Sequence, residues 1–394
     1  KVKILYSAID QTVPGTKGGS VHVTSVAEGL AALGHDVTAL VTPGSGTPNP
    51  SRVRWVGMTP PFGSTHLRLA KSEAIARLAR EMKPDAIIER YHNFGGEAIR
   101  VAAELKAVAI LEVNAPVIDH PGSPKALLDR ALLVQPMRRW REHLCRIADI
   151  IITPNPAIVP WTIPREQIRV LEWGADTDRF KPGVPEHTPF VRLAVTTVAV
   201  FAGAFRSWHG AIHLVNAIKI LRERERKDIG AVFVGDGPEL SRVRAAAKDI
   251  DTILITGALP HHRMPAVLAS ADIGVAPFDL GAHAPLSLGF YWSPLKIFEY
   301  MASGLPVVAP AVDRIPALVA NGREGLLYGL PPKAGSQAHA VALADSLERL
   351  SDPVLRRTLG AAARERAMRE YSWAAHCRAI ESAITDARGL RAVR

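Results

Sequence analysis

Residues 1–41 read KVKILYSAIDQTVPGTKGGSVHVTSVAEGLAALGHDVTALV. The apolar, β-branched opening predicts a strand over Val2–Ser7, and Asp36–Thr42 predicts another. Between them Val21–Leu33 carries apolar residues at helical spacing and is stopped by Gly34. Strand, glycine-rich turn, helix and strand in succession form one unit of a parallel α/β fold.

The same rhythm runs outward through the chain. Further strands are predicted at Val53–Met58, Ala86–Glu89, Val108–Val113, Ile150–Thr153 and Ile168–Glu172. After Phe180 the pattern breaks, because Pro182, Pro185 and Pro189 prevent regular structure. A second alternation then places strands at Val198–Ala202, Ala231–Val234, Thr252–Ile255, Ile273–Ala276, Val307–Ala309 and Leu326–Tyr328. The expectation is two α/β domains, 1–182 and 190–370, facing across a cleft, with ligands beyond the carboxyl ends of the strands.

Composition narrows the class. The 394 residues are 47% hydrophobic and 22% charged, enough to bury a core in each half. Two cysteines, Cys145 and Cys377, stand far apart with no ligand-spaced neighbours, so neither a disulfide framework nor a zinc motif is expected, and a reducing cytoplasm suits them. Neither a membrane span nor a signal peptide is read. A net charge of +10 favours anionic partners. Nucleic acid is not expected, since no basic recognition helix, zinc finger or RNP-type aromatic pair is found.

Several motifs bear on chemistry. The turn Gly15-Thr16-Lys17-Gly18-Gly19-Ser20 lets backbone N–H groups at a helix start meet a phosphate, although a tight ligand-free turn explains the glycines as well. No GxGxxG occurs in this turn and no GxxxxGK[ST] anywhere, which disfavours a dinucleotide-dependent dehydrogenase and a P-loop NTPase. The stretch FYWSPLKIFEYMASGLPVVAP, Phe290–Pro310, predicts a helix opened by Ser293-Pro294 and ended by Gly304. It carries Lys296 and Glu299 on one face, beside a loop with Asp279 and Tyr291; an ordinary surface pair is the alternative.

Along almost its whole length the chain resembles the retaining glycosyltransferases of family 4. The opening βαβ unit, IRVLEWGADTDRFKP (168–182), VFAGAFRSWHG (200–210), VFVGDGPEL (232–240), TGALPHHRMPAVLASADIGVAP (256–277) and SPLKIFEYMASGLPVVAP (293–310) fall in the family's order and spacing. The resemblance implies the GT-B fold, two Rossmann-like domains, with 371–394 as a last helix returning to the first. The implied substrate is a nucleotide sugar, UDP- or GDP-linked, with a glycan, lipid-linked or small-molecule acceptor and no cofactor or metal.

Residue by residue, the resemblance puts Glu299 on the ribose hydroxyls. Tyr291 stands where many members carry a sugar-binding glutamate. Ala204 and His209 stand where an arginine and a lysine usually hold the diphosphate. Arg206, His209 and Lys296 are then the cations available for the catalytic charge. Gly18, Gly19, Gly203, Leu259, Ser293, Pro294 and Leu295 complete the donor side, and Arg90, Tyr91, His92 and Asn114 the acceptor or sugar side. Asn114 occupies the usual place of a histidine and cannot exchange a proton near neutral pH. Asp176-Thr177-Asp178 is read as a turn rather than a metal motif. Catalysis is expected through charge stabilisation and exclusion of water, with front-face attack. The stretches Ser64–Met82 and Lys125–Arg146 are basic, the second with Arg138, Arg139, Arg141 and Arg146 beside Trp140, and suit either an anionic membrane or a solvated face. Two rival readings are a binding protein without transfer activity and a sugar-nucleotide epimerase.

Overall fold

The computed structural model describes residues 1–46, 51–184, 193–331 and 334–393, with side chains through residue 389. Pro185 and Pro189 of the predicted break lie outside the described residues. The chain divides into two compact units. The first comprises Lys1–Trp173, Tyr291–Ser293 and Trp373–Arg394, and the second Gly174–Phe290 and Pro294–Ser372.

The first unit is built on strands β1 (Lys3–Val13), β2 (Asp36–Pro43), β3 (Arg54–Gly57), β4 (Ala86–Arg90), β5 (Val108–Glu112), β6 (Ile150–Thr153) and β7 (Ile168–Val170). They form one parallel sheet in the order β3-β2-β1-β4-β5-β6-β7. Every residue of β4, β5 and β6 is buried, as continuous apolar runs in a two-faced parallel sheet require. Its helices are α1 (Gly18–Ala32), α2 (Ser72–Met82), α3 (Pro124–Ala131) and α4 (Pro136–Ile147).

The second unit repeats the plan with β8 (Thr197–Ala202), β9 (Ile229–Val234), β10 (Ile253–Gly257), β11 (Ile273–Val275), β12 (Val307–Pro310) and β13 (Gly325–Tyr328). The order is β10-β9-β8-β11-β12-β13, again all parallel. Helices α5 (Ala211–Glu223), α6 (Leu240–Ala247), α7 (Met264–Ala269), α8 (Leu295–Ala302), α9 (Ile315–Leu318), α10 (Ser336–Arg349) and α11 (Pro353–Glu370) surround it. Phe201, Phe205, Leu214, Ile218 and Phe233, all fully buried, anchor its core. The last helix, α12 (Trp373–Val393), lies in the first unit against α1, where Gly29 leaves room for Cys377: a Cβ at Gly29 would stand 2.4 Å from its Sγ. In each sheet the strand order reverses beside the first strand, between β1 and β4 and between β8 and β11. Those switch points open a crevice at the strands' carboxyl ends.

Two expectations change. The first strand runs past Ser7 to Val13, because pairing with β2 resumes after a register shift, with Thr12 opposite Thr42 and Val13 opposite Pro43. The basic stretch 64–82 is not one helix: a 3₁₀ turn, Thr65–Lys71, precedes α2 and turns Arg68 fully inward, onto Glu97 and to 3.3 Å from Asp10. Arg141 of α4 is likewise buried, with Nη1 and Nη2 on Asp119 at 2.9 and 3.0 Å. Both arginines therefore leave the basic surface. Among the described residues no helix is long and apolar enough to cross a membrane. Both cysteines are free and buried, which pushes each thiol up to about 12.

Candidate active site

At the carboxyl end of β8 the chain turns through Gly203, whose φ of +133° a side chain would rarely adopt. The loop Gly203–Gly210 is locked against the loop after β9 by close backbone approach. A Cβ at Gly235 would lie 1.9 Å from the Gly203 carbonyl oxygen, and one at Gly237 2.7 Å from the Phe205 nitrogen. Phe205 N–H donates to the Asp236 carbonyl at 2.9 Å. The VGDG sequence is thus a packing device that fixes the loop beside the switch point.

Helix α8 enters the same region. Its N-cap, Pro294, provides no side-chain cap, so its first N–H groups present a positive dipole end. Its end is fixed by Gly304 at φ +76°, with Gly304 N–H on Met301 and Leu305 N–H on Tyr300, the double bond of a Schellman cap. Tyr300, one residue after Glu299, donates its hydroxyl to the Val275 carbonyl at 3.4 Å and accepts from Ala202 N–H at 2.8 Å, tying α8 to β8 and β11. The helix is therefore held in register with the Gly203 loop.

That register places the Lys296 Nζ closed off from solvent with no hydrogen-bond partner among the described residues. It sits 4.2 Å from the Phe201 ring centre and 5.5 Å from that of Phe278. A Cβ on Gly203 would come within 3.2 Å of Nζ, so glycine is what admits the ammonium group. Burial lowers this lysine to about 7, and nearby Glu299 opposes the shift only in part. One turn on, Glu299 keeps a 14% exposed side chain that faces His261 at 3.3 Å. Leu259 is half-buried just before His261.

The other two expected cations differ from each other. Arg206 is exposed, 5.8 Å from the Trp208 ring centre, with no carboxylate partner among the described residues. His209 is not a cation: burial, then the charges of Lys296 and Arg206, push it down to about 3, while its Nδ1–H donates to the Ala204 carbonyl. The neutral ring therefore keeps its Nε2 as an acceptor.

In the first unit, α1 begins at Gly18 with Gly19 next, and its N-cap Lys17 makes no side-chain cap bond. Arg90 and Tyr91, expected on the acceptor or sugar side, are both interior. Arg90 faces Asp10 at 3.4 Å and Glu112 at 4.0 Å, and Tyr91 donates to Asn93 at 3.0 Å. His92 is half-buried, pushed down to about 4 chiefly by burial, and its Nδ1 accepts from Phe94 N–H, which leaves the other nitrogen as donor. Asn114 accepts from Trp173 Nε1 at 2.8 Å, while its own amide nitrogen is buried without a partner among the described residues. Tyr291 and Ser293 belong to this unit. The Ser293 hydroxyl accepts from Trp173 N–H at 2.7 Å and donates to Glu172 at 2.8 Å, so it orders the chain. Pro294 and Leu295 lie in the second unit at the start of α8. Asp176 caps a turn through the N–H groups of Asp178 and Arg179, each at 3.2 Å.

Phe201 and Phe278, the rings beneath Lys296, were not singled out in the sequence. Only the alternation that ends β8 and β11 marks them.

Comparison with known proteins finds glycosyltransferases on both halves of the chain. Residues 16–179 match the family described as Glycosyltransferase Family 4, and residues 196–351 match Glycosyl transferases group 1. The alpha-maltose-1-phosphate synthase of Mycolicibacterium smegmatis is 27% identical over 241 residues, covering 57% of either chain, so the match spans little more than half its length. The D-inositol 3-phosphate glycosyltransferase of Corynebacterium aurimucosum is 27% identical over 97% of this chain and 94% of its own. Among solved structures, Anabaena HepE in complex with UDP and glucose superposes with a TM-score of 0.66 at 17% identity, over 98% of this chain and all of that one. The chain belongs to the family 4 glycosyltransferases and has their GT-B fold.

Proposed function

We propose that the protein transfers a sugar from a nucleoside diphosphate sugar to an acceptor hydroxyl with retention at the anomeric carbon. The observation that carries this reading is the buried, partnerless Lys296 ammonium group at the β8–β11 switch point. An ammonium group shut away from water without an anion is costly, and a bound diphosphate would offset that cost. HepE, solved with UDP and glucose, supports a nucleotide-linked donor, and UDP and GDP are the carriers proposed.

In this reading Lys296 and Arg206 meet the diphosphate together with Gly203 and the start of α8. Lys296 thereby takes the place of the cations missing at Ala204 and His209. Glu299 accepts from the ribose diol, its charge strengthening both bonds. Leu259, Pro294 and Leu295 pack about the nucleoside. Tyr291 is proposed on the transferred sugar, and Ser293 positions the chain next to it. On the acceptor side, Asn114 offers its unpaired amide nitrogen and His92 its free N–H, while Arg90 and Tyr91 shape the wall from behind.

The bond from the anomeric carbon to the diphosphate oxygen breaks as the bond to the acceptor oxygen forms on the same face. The hydroxyl proton passes to the departing phosphate oxygen. Protein cations lower the barrier by stabilising the charge that develops on that leaving group, so no metal ion is proposed at the diphosphate. A thermal-shift screen with UDP, GDP, ADP and their sugars tests the donor, and the product's anomeric configuration by NMR tests retention. Binding without release or transfer of sugar would favour the rival binding protein. Conversion of the donor without acceptor would favour the epimerase.

A cytoplasmic location with peripheral docking on an anionic membrane is proposed for a lipid-linked acceptor. Leu127, Leu128, Leu132, Leu133 and Val134 are exposed at and between α3 and α4, Leu133 by 86%, and Trp161 by 89%. Arg130, Arg138 and Arg139 are exposed beside them, a combination of apolar and basic groups that suits an interface. Co-sedimentation with phosphatidylglycerol vesicles is expected to fall with salt and with Leu133→Asp; no binding at low salt would exclude docking.

A further inference from the structure

The first unit holds a cavity of about 250 Å³, built from the segments that follow β5 and β6 and from α4. Asp119, Arg138, Arg141, Glu142, Pro160 and Trp161 line it. The three segments are fixed to one another. Val117 N–H donates to the Ile158 carbonyl at 3.0 Å, which joins the loop after β5 to the one after β6. Arg141 of α4 is fully buried, its guanidinium held by the Val117 carbonyl at 2.7 Å and by both Asp119 oxygens. The cavity therefore has a rigid floor.

Trp161 stands at its rim, 89% exposed. The turn that carries it is tied down: Ile163 N–H donates to the Pro160 carbonyl at 3.0 Å, and the Ile163 side chain is buried. A large ring held in water by an anchored turn forgoes its own burial, which the apolar face of a ligand would restore.

The polar lining narrows the ligand. Each arginine facing the cavity is paired with a carboxylate that also faces it: Arg138 lies 3.1 Å from Glu142, and Arg141 lies 2.9 Å from Asp119. The charges balance, so neither an anion nor a cation meets an unspent counter-charge. Hydrogen-bonding capacity is left over. Arg138 uses only Nε among the described residues, and each Glu142 oxygen accepts one bond, from Arg138 or from Arg146, of the two it can take. Donors and acceptors side by side, next to an aromatic face, match a neutral ring with hydroxyls at its edge and C–H groups on its face. The volume falls just below the about 300–1,000 Å³ of pockets for drug-sized ligands and suits one such ring.

We propose that this cavity binds one sugar ring of a carbohydrate, stacked on Trp161 and hydrogen-bonded by Glu142, Arg138 and Asp119. The ring comes from a free glycan or from a glycolipid headgroup, which present the same chemistry. The site takes no part in bond-making. That the bound ring belongs to the acceptor rests on the proposed transfer reaction; the binding itself does not.

The test is saturation-transfer NMR of the full chain with the methyl glycosides of glucose, galactose and mannose, in the absence of nucleotide. At least one of them is expected to bind. Trp161→Ala should raise its Kd at least about 10-fold, Trp161→Phe should restore most of the affinity, and Glu142→Gln should weaken binding about 3- to 10-fold. Lys296→Met and an excess of UDP should leave the Kd unchanged, so failure of the sugar site and failure of the donor site are read apart. Phosphatidylcholine vesicles with and without monogalactosyl diacylglycerol separate the two sources. Retention only on the glycolipid vesicles assigns a headgroup, and binding of free glycosides alone assigns a soluble glycan. Three results overturn the proposal: no binding of any of the glycosides, an unchanged Kd in the folded Trp161→Ala and Glu142→Gln variants, or displacement of the sugar by UDP.

Discussion

Nucleotide binding should take up a proton at Lys296, and the amount can be worked out in advance. Burial holds this lysine near 7 in the free protein, so at pH 8 about nine-tenths of it is neutral and at pH 6 about one-tenth. A diphosphate within about 4 Å favours the charged form, keeping it protonated to well above pH 9. Binding at pH 8 should therefore absorb about 0.9 proton, against about 0.1 at pH 6. Affinity should fall as pH rises, because each complex must then protonate the lysine. From pH 6 to pH 9 the Kd should increase about 90-fold, or about 2.7 kcal/mol at 1.36 kcal/mol per unit. Calorimetry in two buffers of different ionisation enthalpy counts the protons. A nucleoside diphosphate sugar is the ligand of choice, since its diphosphate does not titrate in this range. Lys296→Met should bind more weakly at pH 6 and lose the pH dependence. A proton count near zero at pH 8 in the natural chain, or the same slope in Lys296→Met, would refute the assignment.

Other changes report on separate parts of the account. Glu299→Ala removes two charge-assisted acceptors, about 1.5–3 kcal/mol each, so nucleotide affinity by calorimetry should drop at least about 100-fold; an unchanged Kd contradicts the ribose role. Gly203→Ala forces a methyl within 3.2 Å of Lys296 Nζ at a φ of +133°, and should cost at least about 1 kcal/mol in thermal unfolding while weakening nucleotide binding. Arg68→Ala takes the counter-charge from the buried Glu97 carboxylate and one of two from Asp10, which keeps Arg90 at 3.4 Å, at a cost of about 3–5 kcal/mol in denaturant unfolding. A loss below about 1 kcal/mol would mean that those carboxylates find other partners.

Strands were the most legible part of the sequence because a buried parallel strand is written locally, as a short β-branched run between breakers. Each of the thirteen predicted runs overlaps one of β1 to β13. What the sequence concealed lies in long-range contacts. Helical periodicity at 64–82 and 125–146 suggested basic outer faces, yet Arg68 and Arg141 turn inward, because carboxylates at Glu97, Asp10 and Asp119 are brought to them by distant segments. Likewise His209 reads as a cation until burial and the neighbouring Lys296 and Arg206 charges are seen to keep it neutral. Glu299 and Lys296 could be placed on one helix face from their spacing. The missing partner of Lys296 could not, since it depends on Phe201, Phe278 and Gly203 arriving from other strands. The pairing of His213 with His339, stacked at 4.2 Å, has no local signature at all.

The central claim is that the second unit holds a nucleoside diphosphate at the crevice between β8 and β11. A crystal structure of the protein with the nucleotide selected by thermal shift tests it most directly. The account predicts the diphosphate within hydrogen-bonding distance of Lys296 Nζ and the ribose hydroxyls on Glu299. A nucleotide bound elsewhere, or one in that crevice that leaves Lys296 without an anion, would contradict it.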